Sequence, residues 1–279
     1  TCTRCGLCYD TCHAFQGIPK KEYSPVGRAE VVRKLYKKYT RPGGFIFPYG
    51  TDATKFSDTV MDQLYEAAWS CTGCRRCAVN CPFGIDTGQM MGVAKHLLIA
   101  NGTAPEELVM LADAAVEKGK SIDQFKEGYR NVIRDLEKEV QRKLSLPASD
   151  GLIPMEKKDA TILYVGLAGA HSIVNPAIIF NAAKENWTLS FFEAVNFGFF
   201  AGDPAKANFI AQRIIKEATA LNVKEVVVVE CGTAFRILRA LMGKLPFKVT
   251  SIVELIHRYL KEGRIKLKEG AVSDAVTYH

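Results

Sequence analysis

The spacing of apolar positions changes character partway along this chain. After Ser24, which has the form of an N-cap with Pro25 at the first helical position, Val32, Leu35, Tyr36 and Tyr39 recur at the 3.6-residue period of a helix. "DTVMDQLYEAAW" at 58–69 and "TGQMMGVAKHLLIAN" at 87–101 predict two more helices, the second closed by Asn101-Gly102. The Pro and Gly of "RPGGFIFPYG" at 41–50 mark a loop between the first two. Residues 103–150 read as helical throughout. Thr103 with Glu106 suggests a capping box, and Phe125, Tyr129, Val132, Ile133, Leu136, Val140 and Leu144 form one apolar stripe read as core packing.

From Ala160 the apolar runs shorten. "TILYV", "TLSFF", "EVVVV" and "FKVTS" read as buried strands, each followed by a helical pattern such as "PAKANFIAQRIIKEATAL" or "IVELIHRYLKEG". That alternation predicts a parallel sheet with right-handed crossovers. The expected fold class is an α-helical domain over 1–147, a linker at 148–159 within "PASDGLIPMEKKD", and a small α/β domain with a parallel sheet over 160–279.

Charge excludes one class of partner. The net charge of +7 comes from Lys and Arg interleaved with Asp and Glu, as in "RDLEKEVQRK", which is a solvated face rather than a nucleic-acid stripe. A mildly basic face for an acidic protein partner is consistent with it. No apolar run reaches the roughly 18 residues of a membrane span, and no signal peptide is visible, although the first residue, Thr1, is not Met and leaves room for residues upstream.

The nine cysteines carry the chemistry. Eight fall in "CTRCGLCYDTC" at 2–12 and "CTGCRRCAVNC" at 71–81 (each read from its cysteine and neighbours), two runs of C-x2-C-x2-C-x3-C. Spacing this tight suits metal rather than a disulfide framework, so a reducing compartment, the cytoplasm, is expected, free or peripheral to a membrane complex. Three thiolates at x2 spacing wrap one corner of an iron–sulfur cube, with loop N–H groups offered to its sulfides. In two-cluster ferredoxins the fourth cysteine ligates the other cluster. Applied here, Cys2, Cys5, Cys8 and Cys81 hold one [4Fe–4S] cluster, and Cys71, Cys74, Cys77 and Cys12 hold the second. Zinc is the rival, but four ligands per ion leave no use for a third cysteine at x2, twice over. Pro82 follows Cys81 and fixes the turn away from the cluster. His13 stands in that place after Cys12 and is expected to alter the turn without removing a ligand. Arg4, Arg75 and Arg76 lie beside ligands, where their charge would raise a potential or dock a partner, or simply meet solvent. His96 has no assigned role.

The two runs, the "SPVGRAEVV" helix between them and the helical hairpin after them resemble the α-helical ferredoxin domain of succinate dehydrogenase and fumarate reductase iron–sulfur subunits. They are closer still to the heterodisulfide reductase, glycolate oxidase and anaerobic glycerol-3-phosphate dehydrogenase iron–sulfur subunits, over roughly residues 1–150. In that family the following domain carries CCG motifs whose cysteines bind a non-cubane cluster at a disulfide site. "ILYVGLAGAHSIVNPA", "FGFFAGDPAKA" and "VVVVECGTAFRIL" resemble that frame. Leu167 stands where the first Cys would be, Phe200 and Ala201 replace the pair, and Ala234 replaces the last, leaving Cys231 alone. No non-cubane cluster is expected from one thiolate. The loops at 166–172, 196–203 and 231–233 are expected at the carboxyl edge of the sheet, the usual ligand crevice, with His171 beside it. Cys231 would open a helix there, a setting used by reactive thiols. The aromatic residues of "FFEAVNFGFF" read as core, or as the face of a partner subunit.

The resemblance implies an electron-transfer subunit that relays single electrons between a flavoprotein and heterodisulfide-reductase-like partner subunits, with catalysis on another chain. Two alternatives differ from it. One is a thiol/disulfide reductase in which Cys231 works with partner cysteines. The other is the iron–sulfur component of a quinone-linked 2-hydroxy-acid or glycerol-3-phosphate dehydrogenase.

Overall fold

A computed structural model of the chain describes residues 2–40, 57–145, 152–167, 169–229 and 231–276. The expected loop at 41–50, residues 148–151 of the expected linker and the Leu144 side chain lie outside those described. The chain divides into two compact units, Thr1–Val116 with Asn196–Ile210, and Glu117–Val195 with Ala211–His279. The cut at 148–159 follows the change of sequence pattern; the division by packing instead falls inside two helices and returns a short later segment to the first unit.

In the first unit the helices are α1 (His13–Gly17), α2 (Pro25–Thr40), α3 (Asp58–Trp69), α4 (Arg76–Val79), α5 (Thr87–Ala100) and α6 (Glu106–Lys120). Ser24 starts α2 as its sequence suggests, its hydroxyl accepting from Gly27 N–H at 2.9 Å. A Cβ on Gly27 would sit 2.0 Å from the Lys21 carbonyl, so only glycine lets the 3-10 turn Lys21–Tyr23 close against α2. Ser57 and Asp86 cap α3 and α5, accepting from Val60 and Gln89 N–H. The core between these helices is Leu64, Ala67, Ala68, Met91, Ala94 and Leu98, with Val31, Val32 and Leu35 of α2 against it.

Two expectations fail here. Tyr36 and Tyr39 are exposed, because the inward face of α2 is already filled by Val31, Val32 and Leu35. The Thr103–Glu106 capping box does not form. The first helical carbonyl of α6 is that of Pro105, which accepts from Leu108 and Val109 N–H. A residue before proline is pushed out of the helical region, so Ala104 cannot begin the helix.

The second unit contains α7 (Ile122–Leu144), β1 (Ile162–Val165), α8 (Ala170–Ala182) and β2 (Trp187–Leu189). After α9 (Phe197–Ala201), which belongs to the first unit, come α10 (Pro204–Ala220), β3 (Glu225–Val228), α11 (Gly232–Arg236), β4 (Lys248–Ser251) and α12 (Ile252–Lys261). The four strands form one sheet in the order β2-β1-β3-β4, and every pair is parallel. All four residues of β1 and of β3 are buried, as a sheet covered on both faces requires. Leu189 N–H donates to the Pro154 carbonyl at 2.7 Å and Met155 bridges Leu189 in parallel, so residues from the expected linker extend the β2 edge.

Pro176 lies inside α8 and has no N–H for the carbonyl four residues back. That carbonyl, of Ser172, instead accepts from the buried Tyr164 hydroxyl at 2.6 Å. The helix thereby keeps its proline and is tied to β1. The stripe on α7 is split: Ile133 and Val140 are buried, whereas Phe125 and Val132 are exposed. Seven apolar residues span more of the circumference than this helix presents to the unit's core.

Candidate metal centre

The two cysteine runs place left-handed residues at the same two positions. Counting from the first cysteine of each run, the second residue after it has positive φ, Arg4 at 63° and Gly73 at 69°. The fourth does so too, Gly6 at 82° and Arg75 at 62°. Glycine and arginine have exchanged places while the loop has kept its shape. A left-handed residue costs a non-glycine roughly 1 kcal/mol or more, and both arginines are held by acids. Arg4 meets both carboxylate oxygens of Glu30 at 3.1 Å, and Arg75 pairs with Asp86, the cap of α5. Arg76 is the exposed first residue of α4.

These loops bring eight cysteines around two cavities. The first, of about 390 Å³, is lined by Cys2, Cys5, Cys8 and Cys81, with apolar Leu7, Val26, Phe83 and Ile85. The second, of about 300 Å³, is lined by Cys12, Cys71 and Cys74, together with His13, Arg28 and Arg75. Cys77 borders both. The last cysteine of each run therefore faces the cavity of the other run. Cys12 and Cys71, both at the second cavity, are buried, whereas Cys5 at the first and Cys74 at the second are exposed. Among the described residues no three His, Cys, Asp or Glu side chains converge as they would on a single ion. Ligands of one zinc at about 2.3 Å crowd together; four or more thiols spread around one cavity fit a polynuclear group.

Burial pushes the Cys8 thiol up to about 11, with the neighbouring Cys77, Cys2 and Cys5 adding to the rise. Burial also raises Cys77, with Cys71 contributing and the Gly88 N–H opposing. Loading such thiols with metal must therefore release protons. His13 opens α1, and its Nε2 stands 3.3 Å from the Thr72 hydroxyl, which joins the two runs across the second cavity. His96 is exposed on α5.

Two cations that the sequence reading passed over are buried beside the second cavity. Arg28, 3% exposed, places Nη1 3.5 Å from Cys12 Sγ, while Nη2 donates to the Ser70 carbonyl at 2.8 Å and Nε to its hydroxyl at 3.2 Å. Lys95, 8% exposed, donates to the Cys71 carbonyl at 2.9 Å and stands over the Trp69 ring at 5.0 Å. Burial depresses its ammonium pKa, and the charge on Arg28 lowers it further. A signal for both was present. Arg28 lies four residues before Val32, and Lys95 lies between Met91 and Leu98, so each is a charge on an apolar face.

Residues 1–85 match the family model of a 4Fe-4S dicluster domain. The chain is 30% identical over 248 residues to the Hdr-like menaquinol oxidoreductase iron–sulfur subunit 2 of Archaeoglobus fulgidus, an alignment covering 84% of this chain and 44% of the relative. Over most of its length this chain is similar to Hdr-like iron–sulfur subunits. The corresponding subunit of Archaeoglobus profundus is 29% identical with the same coverage. A probable membrane-anchored ferredoxin of Chromohalobacter salexigens is 23% identical across the whole chain and 43% of its own length. The chain thus spans less than half the length of these curated relatives. No solved structure matches it. Among the described residues, no helix is long and apolar enough to cross a membrane.

In this chain the strand order reverses between β1 and β3, which places the crevice of the sheet beyond their carboxyl ends. Cys231 stands at the N-cap position of α11 just after β3, without a side-chain capping bond, and Gly169 precedes α8 just after β1. The two loops that carry Cys231 and Leu167 therefore leave adjacent strands. Ser172 fills part of that turn, bonding Leu167 N–H at 3.1 Å and the Leu167 carbonyl at 2.7 Å. Ala234 is buried and His171 is exposed. Phe200 and Ala201 fall in the first unit, where the Phe200 carbonyl faces Lys95 Nζ at 3.5 Å. The loop at 196–203 packs closely against α5: a Cβ on Gly202 would stand 2.3 Å from that of Lys95. Of the "FFEAVNFGFF" aromatics, Phe191 and Phe192 are core.

Proposed function

We propose that this chain is an electron-transfer iron–sulfur subunit holding two [4Fe–4S] clusters, one on Cys2, Cys5, Cys8 and Cys81, the other on Cys71, Cys74, Cys77 and Cys12. The observation that supports the reading is that Cys81 lines the cavity of Cys2, Cys5 and Cys8, and Cys12 that of Cys71 and Cys74. The clusters supply one-electron redox chemistry. The chain's own residues shelter Cys12 and Cys71, fold two loops with matching left-handed turns around the cavities, and leave Cys5 and Cys74 at the surface, where partners would exchange electrons. The relatives' names speak of a menaquinol oxidoreductase. Partners of this chain are accordingly proposed among heterodisulfide-reductase-like and flavin- or quinol-linked subunits, with the catalytic step on one of them. Cys231, with no second thiol from this chain at its loop, has no part in that relay.

Anaerobic iron and sulfide analysis with an EPR-monitored redox titration tests this. About eight irons and eight sulfides per chain, with two cubane signals that cycle reversibly, are expected. Bound zinc, or four irons, would sink the ligand assignment. Clusters that form but do not cycle would reduce them to structural staples.

A further inference from the structure

The two cavities differ in charge, and the difference is built from buried residues. No ionised side chain other than cysteine lines the first. The second has Arg28 in its wall, and no carboxylate among the described residues pairs with that guanidinium. Lys95 stands behind the same cavity on the Cys71 carbonyl. The arginines that the sequence made conspicuous are different: Arg4 is solvent-exposed and shares Glu30 with Arg33, and Arg75 is half-exposed and pairs with Asp86.

Reduction adds a negative charge. A buried cation at contact distance favours the reduced state, and an N–H donated to a ligand sulfur withdraws electron density in the same sense. Low local dielectric strengthens both effects, while balanced and solvated arginines act weakly. We propose that Arg28, supported by Lys95, makes the site of Cys12, Cys71, Cys74 and Cys77 the more readily reduced of the two. An electron in transit rests there, and the apolar site of Cys2, Cys5, Cys8 and Cys81 is the low-potential partner. Arg28 acts as a positioning charge that sets direction within the chain. This rests on the two-cluster reading proposed above.

The test is a potentiometric EPR titration of the whole chain loaded with both clusters. Arg28→Gln is expected to lower one midpoint by about 59 mV or more, a tenfold change in the reduced-to-oxidised ratio, and to leave the other in place. The shifted signal should be the one that Cys12→Ser perturbs. Arg28→Lys keeps the charge and should stay near the unmodified midpoint, and Lys95→Gln should lower the same midpoint by less. Unmoved midpoints, both moving together, or Arg28→Lys shifting as far as Arg28→Gln would each overturn the proposal. Should Arg28→Gln fail to assemble, the Lys95→Gln midpoint decides, and no shift there overturns it. Iron content of the unmodified chain separates this outcome from failure of the two-cluster reading, since that failure appears before any variant is compared.

Discussion

Gly6 sits at φ 82° with nothing within 4 Å of where its Cβ would be. A substitution there meets no neighbour and reads the backbone alone. Gly6→Ala is expected to cost about 1 kcal/mol, the penalty of a left-handed conformation. Gly17→Ala, at a helical residue with equally open space, should be neutral or slightly stabilising. Urea midpoints of the two variants, measured on the cluster-loaded chain, make the comparison. An equal loss in both would mean that the left-handed turn is not what Gly6 provides. Arg4 and Arg75 occupy the equivalent strained places in the opposite runs, and their pairing with Glu30 and Asp86 gives those side chains a reason to be there.

At the scale of elements, the segment after β2 is tied to α10 through a buried carboxyl group. Glu217 accepts from Phe191 N–H at 2.9 Å and from the Ser190 hydroxyl, and burial still pushes its pKa up to about 7. The native state therefore holds this proton more tightly than the unfolded chain does. The associated stability is full below about pH 4.5 and is lost as pH rises through 7. The loss is roughly 3 kcal/mol in all. Urea unfolding at pH 5 and pH 8 should show that decline, and Glu217→Gln should flatten it; an unchanged slope in the variant would assign the pH dependence elsewhere. Such a residue was invisible in "IIKEATAL", where glutamate reads as surface. The α3 boundaries and the parallel α/β alternation were legible, because local capping and continuous apolar runs fix them. Tyr36, Val132 and the start of α6 were not. Periodicity gives a face but not its width, and one proline moves a helix start.

For the molecule as a whole, spacing alone singled out the cysteine runs as candidate metal ligands, while the charges that distinguish their cavities needed coordinates. Arg28 and Lys95 look like ordinary helix residues until α2, α3 and α5 pack and leave them inside. Spacing also leaves open which fourth cysteine serves which site, and that question has a direct answer in solution. With exchanged ligands, Cys8→Ser and Cys81→Ser must perturb one EPR signal, and Cys77→Ser and Cys12→Ser the other. With self-contained runs, Cys8 would instead share its signal with Cys12, and Cys77 with Cys81. The two outcomes cannot be confused, because each cysteine changes partner between them. The exchanged pattern would also make each cluster a clamp between residues roughly sixty to eighty positions apart in sequence. Closing a loop that long constrains the unfolded chain strongly, so losing either fourth cysteine should loosen the helical unit as well as its own cluster. Hydrogen exchange of α3 and α5 amides, measured on the same four variants, should then show faster opening for Cys12→Ser and Cys81→Ser.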